Sequence, residues 1–367
     1  MDIDISAIDR NLSDISGKID FYSFLTPINQ EEERKRFFSS LEENKPYNPV
    51  FCYKSERDFS AEREWLEDTR KLLDPEDPLH QIFVKNADFI SAHLDMLESD
   101  DKGFSELAIK SFGSPDKDSV DLAKKILDEG RASGYIFPEE AVTPEEMASI
   151  LEKKLESAGI EWDVVISGKI IPKITVSGKN RTIYVNSGIN YTEAEVERLK
   201  IHEIEVHVYR GANGSNQPYN IFAEGLAGYN ETEEGLAIYM EEKAGCLELD
   251  TRQMKLYAGR ALAVDHSLRT SFYETFKVLC GYFSHDLAYR LTERVKRGLK
   301  DTSIKGAFTK DFHYISGFRK VREYLDDNGD ISILYVGKVG LDDLQIVKKL
   351  MREGVLKPPG FIPDFIK

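Results

Sequence analysis

Apolar residues recur at intervals of three and four through much of residues 59 to 159, which is the period of an amphipathic helix. The pattern predicts helices in the segments SAEREWLEDTRKLL, PLHQIFVKNADFISAHLDML, SVDLAKKILDEG and TPEEMASILEKKLESAG. The last of these has a well-defined start, because Thr143 can serve as N-cap, Pro144 suits the first helical position and Glu146 completes a capping box.

The pattern then changes to short runs rich in β-branched residues, WDVVISG, KITVSG and RTIYVN, with a turn at residues 177–180. We expect a small antiparallel sheet. The next segment, TEAEVERLKIHEIEVHVYRG, predicts a helix with a capping box at Thr192 and Glu195 and a stop at Gly211. A second helix is expected from Thr232 through EEGLAIYMEEKAG, and longer helices between residues 253 and 300.

Residues 1 to 55 are mixed and charged, and the prolines of NKPYNPVFCYKS are typical of an irregular arm with at most one short strand, packed on the body. The predicted fold class is α+β and predominantly helical. It comprises an N-terminal arm (1–55), a helical region packed on the core (56–160) and a core with a small antiparallel sheet and C-terminal helices (161–367).

Composition narrows the functional classes. The chain has 367 residues, 41% of them hydrophobic, and its three cysteines are too widely spaced for a disulfide framework, which indicates a reducing compartment. We expect a cytoplasmic protein, because the sequence shows neither a signal peptide nor an apolar run long enough to span a bilayer. The net charge of -16 argues against nucleic acid or an anionic membrane as a partner.

The segment HEIEVH carries the first candidate chemistry, with His202 and His207 five positions apart instead of the four of the common HExxH zinc motif. On an α-helix five steps separate two side chains by about 140°, too far for one ion. A π-bulge, with roughly 4.4 residues per turn, would return both histidines to one face, so we predict a bulge or broken turn here. The competing interpretation is a pair of packed histidines, but a buried Glu203 beside them would then be costly.

Hydrolytic zinc sites commonly take three protein ligands and keep one position for water. The segment ETEEGLAIYMEE is the best source of the third ligand, with Thr232 as a possible cap and Glu233 and Glu234 in the first turn. Gly235 and Ala237 are small enough to let that turn approach the histidine helix. These acidic residues could instead only offset the helix dipole, and the alternatives to Glu234 as ligand are Glu233, Glu231 and Glu241.

The segment HEIEVHVYRGANGSNQPYNIFAEGLAGYNETEEGLAIY resembles the tubulin tyrosine carboxypeptidases and their bacterial relatives, often labelled by a QEGLA motif. Weaker echoes, FCYKS, RVKRG, FTKDFHYISG and LKPPGFIPDF, extend the resemblance over nearly the whole chain. The resemblance implies a zincin-like metallopeptidase core in which His202, His207 and Glu234 bind Zn²⁺ and Glu203 is the catalytic base. The departure is Glu233, where the bacterial label has Gln.

The implied reaction is attack of an activated water on a peptide carbonyl, with Glu203 moving the proton to the leaving amine. A carboxypeptidase also needs a cation for the terminal carboxylate. The candidate substrate-binding residues are Arg210, Arg260, Arg294, Arg297, Lys310 and Tyr314, and Tyr314 or the neighbouring His313 could instead donate a hydrogen bond to the oxyanion.

The predicted function is therefore that of a zinc carboxypeptidase acting at or near a peptide or protein C-terminus, with an aromatic residue as one option. Acidic tubulin tails are not assumed as substrate, because they and this chain carry like charges. Two alternatives remain open, a zinc-binding regulatory protein without activity and an amidohydrolase of small molecules.

Overall fold

The computed structural model describes residues 3–54, 58–129, 141–170, 172–247 and 252–366. The proposed boundary between residues 55 and 56, and Gly130 at the end of one predicted helix, lie outside the described residues. No helix in the described ranges is both long enough and apolar enough to cross a bilayer.

Three helices precede the segment NKPYNPVFCYKS, in a part of the chain for which the sequence pattern predicted only an arm. They are α1 (Ile5–Ile19), α2 (Phe21–Phe24) and α3 (Gln30–Glu42). The described part of NKPYNPVFCYKS, residues 44–54, is irregular as predicted, and there Val50 forms an isolated bridge with Asp301. The Asp9 carboxylate fixes α1 to the body, because it accepts hydrogen bonds from the backbone amides of Asn220 and Ile221.

The next part contains the helices predicted from the apolar period and one further helix, α6. The helices are α4 (Ser60–Leu72), α5 (Pro78–Glu98), α6 (Asp101–Phe112), α7 (Lys117–Glu129) and α8 (Pro144–Ala158). The predicted capping box is confirmed, since the Thr143 hydroxyl accepts from the Glu146 amide and the Glu146 carboxylate accepts from the Thr143 amide.

The sheet consists of β1 (Asp163–Ser167), β2 (Ile174–Ser177) and β3 (Thr182–Asn186) in the order β1-β3-β2. The predicted turn joins β2 and β3 as an antiparallel pair, but β1 pairs with β3 in parallel, so the sheet is mixed and not antiparallel. The reason is topological. Successive strands run in opposite directions, so β1 and β3 run in the same direction. Because β3 lies between β1 and β2, it pairs with β1 in parallel and with β2 in antiparallel orientation.

The remaining helices follow the sheet along the chain. They are α9 (Glu193–Leu199), a π-helix (Lys200–Val208), α10 (Tyr209–Ser215), α11 (Ile221–Glu224), α12 (Tyr229–Lys243), α13 (Arg252–Ser267), α14 (Phe272–Leu279), α15 (His285–Lys296), α16 (His313–Asp326) and α17 (Leu344–Arg352), with short 3-10 turns at Thr309–Phe312, Ile331–Tyr335, Leu341–Asp343 and Asp364–Ile366.

One continuous cluster of buried apolar side chains extends from α1 to Leu356. Within it α12 packs extensively against α16 and also against the π-helix, while α8 covers one side of the sheet and β2 contacts the π-helix. The fold is therefore predominantly helical α+β, as predicted, and it holds the π-helix and α12 side by side in the interior.

Candidate metal centre

The predicted irregularity between the two histidines is confirmed, because Lys200–Val208 forms a π-helix. Its wider turn brings positions five apart to the same side, and the imidazole rings of His202 and His207 lie with their centroids 4.7 Å apart. The flanking residues Ile204 and Val206 are fully buried, so the segment is held by the core on its other faces. Gly211 does not end the helix as predicted, since α10 continues through it to Ser215.

The start of α12 differs from the prediction. The helix begins at Tyr229 after Gly228, whose φ of 85° is accessible to glycine, and Thr232 is not its cap. The Thr232 hydroxyl instead accepts a hydrogen bond from the Leu341 amide. Glu234 therefore lies in the second turn, where its position is set by packing of the helix and not by a cap.

Gly235 also has another neighbour than expected. A Cβ built on it would lie 2.1 Å from the carbonyl carbon of Gly317, so the close approach is to α16 and not to the histidine helix. Small residues on α12 and α16 allow their backbones to touch, and this contact fixes how far Glu234 reaches toward the histidines.

Within the described residues, His202, His207 and Glu234 form a group that could hold a metal ion. One ligand atom from each lies within 4.8 Å of the others, and the His202 Nε2 atom is 3.7 Å from Glu234 Oε2. Two imidazole nitrogens and one carboxylate oxygen are the donor types of hydrolytic zinc sites, which leave a further position for water. The residues present therefore fit a zinc ion.

The other acidic residues considered as ligands point elsewhere. Glu231 accepts hydrogen bonds from Ser316 and Lys320, the latter at 2.8 Å. Glu241 Oε1 lies 2.7 Å from the rear nitrogen of His202, Nδ1, and Glu233 Oε1 lies 3.3 Å from His207 Nδ1. Glu233 and Glu241 thus lie next to the Nδ1 atoms of the histidines. Of the four glutamates, Glu234 is the one that forms the candidate metal-binding group with His202 and His207.

Glu203 is buried with 9% of its surface exposed, directly after His202 in the π-helix. Burial alone would lower the pKa of His202, but the negative charges of Glu241, Glu234 and Glu203 raise it to about 10. A metal that uses this imidazole as a ligand must therefore compete with a proton.

The structure places Arg210 in the core and not in a substrate pocket. Its side chain is fully buried and donates from Nε to the Leu334 carbonyl at 2.8 Å and from Nη2 to the Val339 carbonyl at 2.5 Å. Its sequence position one turn after the motif suggested a substrate contact, but the π-helix and α10 turn this face inward. Arg210 is thereby removed from the candidate carboxylate-binding residues.

His313 is likewise removed as a candidate oxyanion donor. Its Nε2 atom lies 2.7 Å from the Phe112 carbonyl oxygen, and its ring packs against Phe112 and Phe312.

The other predicted substrate residues do lie together, in what we call the cation cluster: Arg260, Arg294, Arg297, Lys310 and the carboxylate of Asp311. Arg294 donates to both oxygens of Asp311, with Nη2 3.1 Å from Oδ1, and Arg297 Nη2 is 3.9 Å from Oδ1. Although burial raises the pKa of Asp311, Arg294, Arg297 and Arg260 hold it well below its ordinary value. Four cations and one carboxylate leave the cluster strongly positive.

Tyr314 belongs to the same region, since its ring stacks on Tyr257 at 4.7 Å and the Arg260 guanidinium lies 4.6 Å from its centroid. The cluster is electrostatically linked to the candidate metal centre. Asp311 is the main cause of the raised pKa of Arg294, and burial is the main cause of the raised pKa of Tyr314; the charge of Glu234 acts in the same direction on both and on Lys310. Electrostatic interaction therefore connects the cation cluster with the third candidate ligand.

A sequence profile of a family described as microtubule-associated tyrosine carboxypeptidase matches residues 35–367. The chain belongs to this family. It is 25% identical over 356 residues to microtubule-associated tyrosine carboxypeptidase 1 of Rattus norvegicus and 25% identical over 359 residues to the Homo sapiens protein of the same name, with 94% of this chain covered in both. The chain spans 64% of the length of each of these relatives, which is less than two thirds.

Several residues of this family member were missed by sequence reasoning. Arg198 pairs with Glu241, Asp311 pairs with Arg294, and Lys338 Nζ lies 3.7 Å from Glu233 Oε1. Tyr22, which precedes the matched residues, accepts a hydrogen bond from Lys310 at 2.5 Å. Arg198 had a usable signal, because it precedes His202 by four helical positions, whereas Tyr22 and Lys338 reach the site only through tertiary packing.

Proposed function

We propose that the chain is a zinc-dependent carboxypeptidase that removes a residue from a peptide or protein C-terminus. The observation that carries this is the convergence of His202, His207 and Glu234, from two separate helices, on one buried point beside Glu203. Membership of a family named for carboxypeptidases supports the reaction class.

His202, His207 and Glu234 would hold the zinc ion. When bound, zinc supplies Lewis acidity, which lowers the pKa of a coordinated water toward neutrality and polarises a carbonyl. With two neutral imidazoles and one carboxylate, the ligands leave the site with a net positive charge, so that this acidity is retained. The candidate ligands are largely buried, which strengthens electrostatic effects inside the site.

Glu203 is the proposed general base. Its carboxylate takes a proton from the attacking water as the oxygen forms a bond to the carbonyl carbon, and gives that proton to the amine as the carbon–nitrogen bond breaks. Glu203 directly follows the candidate ligand His202 and is buried in the π-helix, which supports this role.

We propose that the cation cluster binds the terminal carboxylate of the substrate. Guanidinium groups bind a carboxylate through two parallel hydrogen bonds, and the cluster has more positive groups than Asp311 can neutralise. The overall charge of -16 opposes an acidic substrate, but this local cluster attracts one at short range.

An aromatic terminal residue is the proposed specificity. A cavity of about 210 Å³ lies beside the start of α12, and its wall includes the rings of Tyr22, Phe89, Phe112 and Tyr229 together with the carboxylates of Asp9 and Glu224. Tyr22 connects this cavity with the cation cluster, because its hydroxyl accepts a hydrogen bond from Lys310. Aromatic walls favour an aromatic side chain through edge and face contacts. The printed names of the relatives, which specify tyrosine, support the same choice.

The replacement E203Q tests the proposal. We expect the variant to keep about one zinc per chain, since Glu203 is not a proposed ligand, and to lose at least about 100-fold in kcat on a peptide ending in a free aromatic residue. The matched control is E197Q, an exposed glutamate on α9 just before the π-helix, which should leave the rate unchanged.

The same peptide with an amidated C-terminus should be a poor substrate for the parent chain, because the amide cannot pair with the cation cluster. Equal cleavage of free and amidated peptides would exclude a carboxypeptidase. Zinc binding without cleavage of any peptide would favour the regulatory alternative, and cleavage of small amides alone would favour the amidohydrolase.

A further inference from the structure

The rear nitrogen of His202 is held by a carboxylate from the helix that also carries Glu234. Glu241 is fully buried, and its Oε1 atom lies 2.7 Å from His202 Nδ1. Positions 234 and 241 are seven apart, so both carboxylates project from the same side of α12, about two turns from each other. The imidazole spans the gap, with Nδ1 at Glu241 and Nε2 3.7 Å from Glu234 Oε2.

Glu241 is itself fixed by a buried cation. Arg198 Nη1 donates to the same Oε1 atom at 2.7 Å, and only 9% of its side chain is exposed. The second oxygen of Glu241 is buried and has no hydrogen-bond partner among the residues that the structure describes. Arg198 Nη1 and His202 Nδ1 therefore contact the same oxygen. The bond from Arg198 fixes the position of this oxygen, and Nδ1 is the nitrogen of His202 that can donate a hydrogen bond to it. An unpaired carboxylate at this depth would be costly, so Arg198 makes the arrangement tolerable.

A second set of residues repeats this order behind His207. Glu233 is 3% exposed, and its Oε1 atom lies 3.3 Å from His207 Nδ1, an ion-pair distance without the alignment of a hydrogen bond, so this contact is looser than the one between Glu241 and His202. Two buried cations approach the same oxygen, Lys338 with Nζ at 3.7 Å and Arg210 with Nη1 at 3.8 Å. Each histidine is thus backed by a carboxylate of α12, and each carboxylate by one or two cations that arrive from outside α12.

We propose that Glu241 and Glu233 are positioning residues that hold the Nδ1–H groups of His202 and His207, so that both histidines present Nε2 to the metal. The inference rests on the proposed zinc site. Carboxylates behind metal-binding imidazoles fix the tautomer and ring orientation and raise the basicity of the ligand nitrogen. Arg198 neutralises the charge of Glu241, and Lys338 and Arg210 neutralise that of Glu233, so that these two carboxylates do not reduce the net positive charge of the zinc centre.

This arrangement also accounts for Glu at position 233, where the bacterial motif label has Gln. A glutamine oxygen could accept from His207 Nδ1 equally well, but it would leave Lys338 and Arg210 facing a neutral group. The presence of both cations within 4 Å of one oxygen matches a carboxylate at this position.

The test measures zinc affinity of the full chain by competition with a chromophoric chelator, in the parent and in E241A, E241Q and E233Q. We expect E241A to bind zinc 10- to 100-fold more weakly, on the order found for lost partners of metal-binding histidines. E241Q keeps an acceptor oxygen and should lose less than E241A, and E233Q should also lose several-fold. The matched control is E242A, on the same helix but paired with Arg322 on α16, which should keep the parent affinity.

A second readout separates positioning from general stability. In the cobalt-loaded chain the visible absorption bands report the ligand geometry, and they should change in E241A and be largely restored in E241Q. Parent-like zinc affinity and cobalt spectrum in E241A would overturn the inference. If E241A does not fold, E241L decides, because leucine fills the space but has no acceptor oxygen: a parent-like zinc affinity in E241L would overturn the inference and a loss of about tenfold or more would support it. Absence of stoichiometric zinc binding in the parent would instead refute the proposed function itself.

Discussion

Replacing Gly235 by alanine tests the contact that sets the position of α12. The glycine lies where α12 and α16 touch backbone to backbone, and a Cβ there would lie 2.1 Å from the carbonyl carbon, 2.3 Å from the carbonyl oxygen of Gly317 and 2.5 Å from the amide nitrogen of Phe318. All three neighbours are backbone atoms. The clash cannot be relieved by a side-chain rotation, so one helix must move.

The size of the effect follows from that distance. Ordinary contacts of a Cβ begin near 3.4 Å, so the helices must separate locally by about 1.3 Å. Overpacking of a tight core costs about 1 to 3 kcal/mol, and a backbone clash belongs at the upper end. Alanine recovers about 1 kcal/mol of helix propensity over glycine. We therefore expect G235A to lose about 2 kcal/mol of unfolding free energy.

Urea unfolding followed by circular dichroism measures this loss, and zinc titration measures its consequence at the site. Because Glu234 precedes Gly235, moving α12 should also weaken zinc binding. The matched control is G17A, in the exposed part of α1, where the only close atoms belong to the flexible end of Lys179. G17A should be neutral or more stable by up to about 1 kcal/mol. If G235A unfolds at the parent midpoint, the helices are not in the contact described.

Three further outcomes are expected. Burial raises the pKa of Glu293 from 4.5 to about 7. The folded state therefore favours the neutral carboxyl group, and this contribution to stability is complete below pH 4.5 and is lost as the pH rises through 7. Between pH 5 and pH 8 the parent should lose about 2 to 3 kcal/mol of unfolding free energy relative to E293Q in parallel urea titrations. Lys296 donates to the carbonyls of Ser267, Thr270 and Ile304, so K296M should lose about 3 kcal/mol through the stranded acceptors, and an unchanged thermal midpoint would contradict this. In steady-state kinetics K310M should raise KM for a peptide with a free C-terminus about tenfold and leave KM for its amidated form nearly unchanged.

Local sequence signals predicted much of the secondary structure. The capping boxes at Thr143 and Thr192 appear as expected, because the residues that satisfy the helix end lie within four positions of each other. The spacing of His202 and His207 led to the π-helix for the same reason, since five positions on one helix pose a purely local geometric problem. Helix α1 also has a local signal that the prediction did not include, because Ile8, Leu12, Ile15 and Ile19 follow helical spacing and are buried.

Features that depend on partners far along the chain could not be predicted in this way. The periodicity of α12 shows which residues share a face, but not that Gly235 meets α16 and Glu234 meets the histidines. Arg210 follows the motif by one turn and yet serves the core, because the residues that accept its hydrogen bonds, Leu334 and Val339, lie more than a hundred positions later.

Local sequence patterns are enough to specify the histidine pair with its π-helix, most of the helical and strand segments, and the family of the chain. Packing of distant segments brings Glu234 to the histidines, places Glu233 and Glu241 behind them, and pairs Arg294 and Arg297 with Asp311 in a chain of net charge -16. The physical reason is that neighbouring residues in the sequence decide whether a segment forms a helix and which of its side chains share a face. The partner that neutralises a buried charge can come from any part of the chain that packs within a few ångströms.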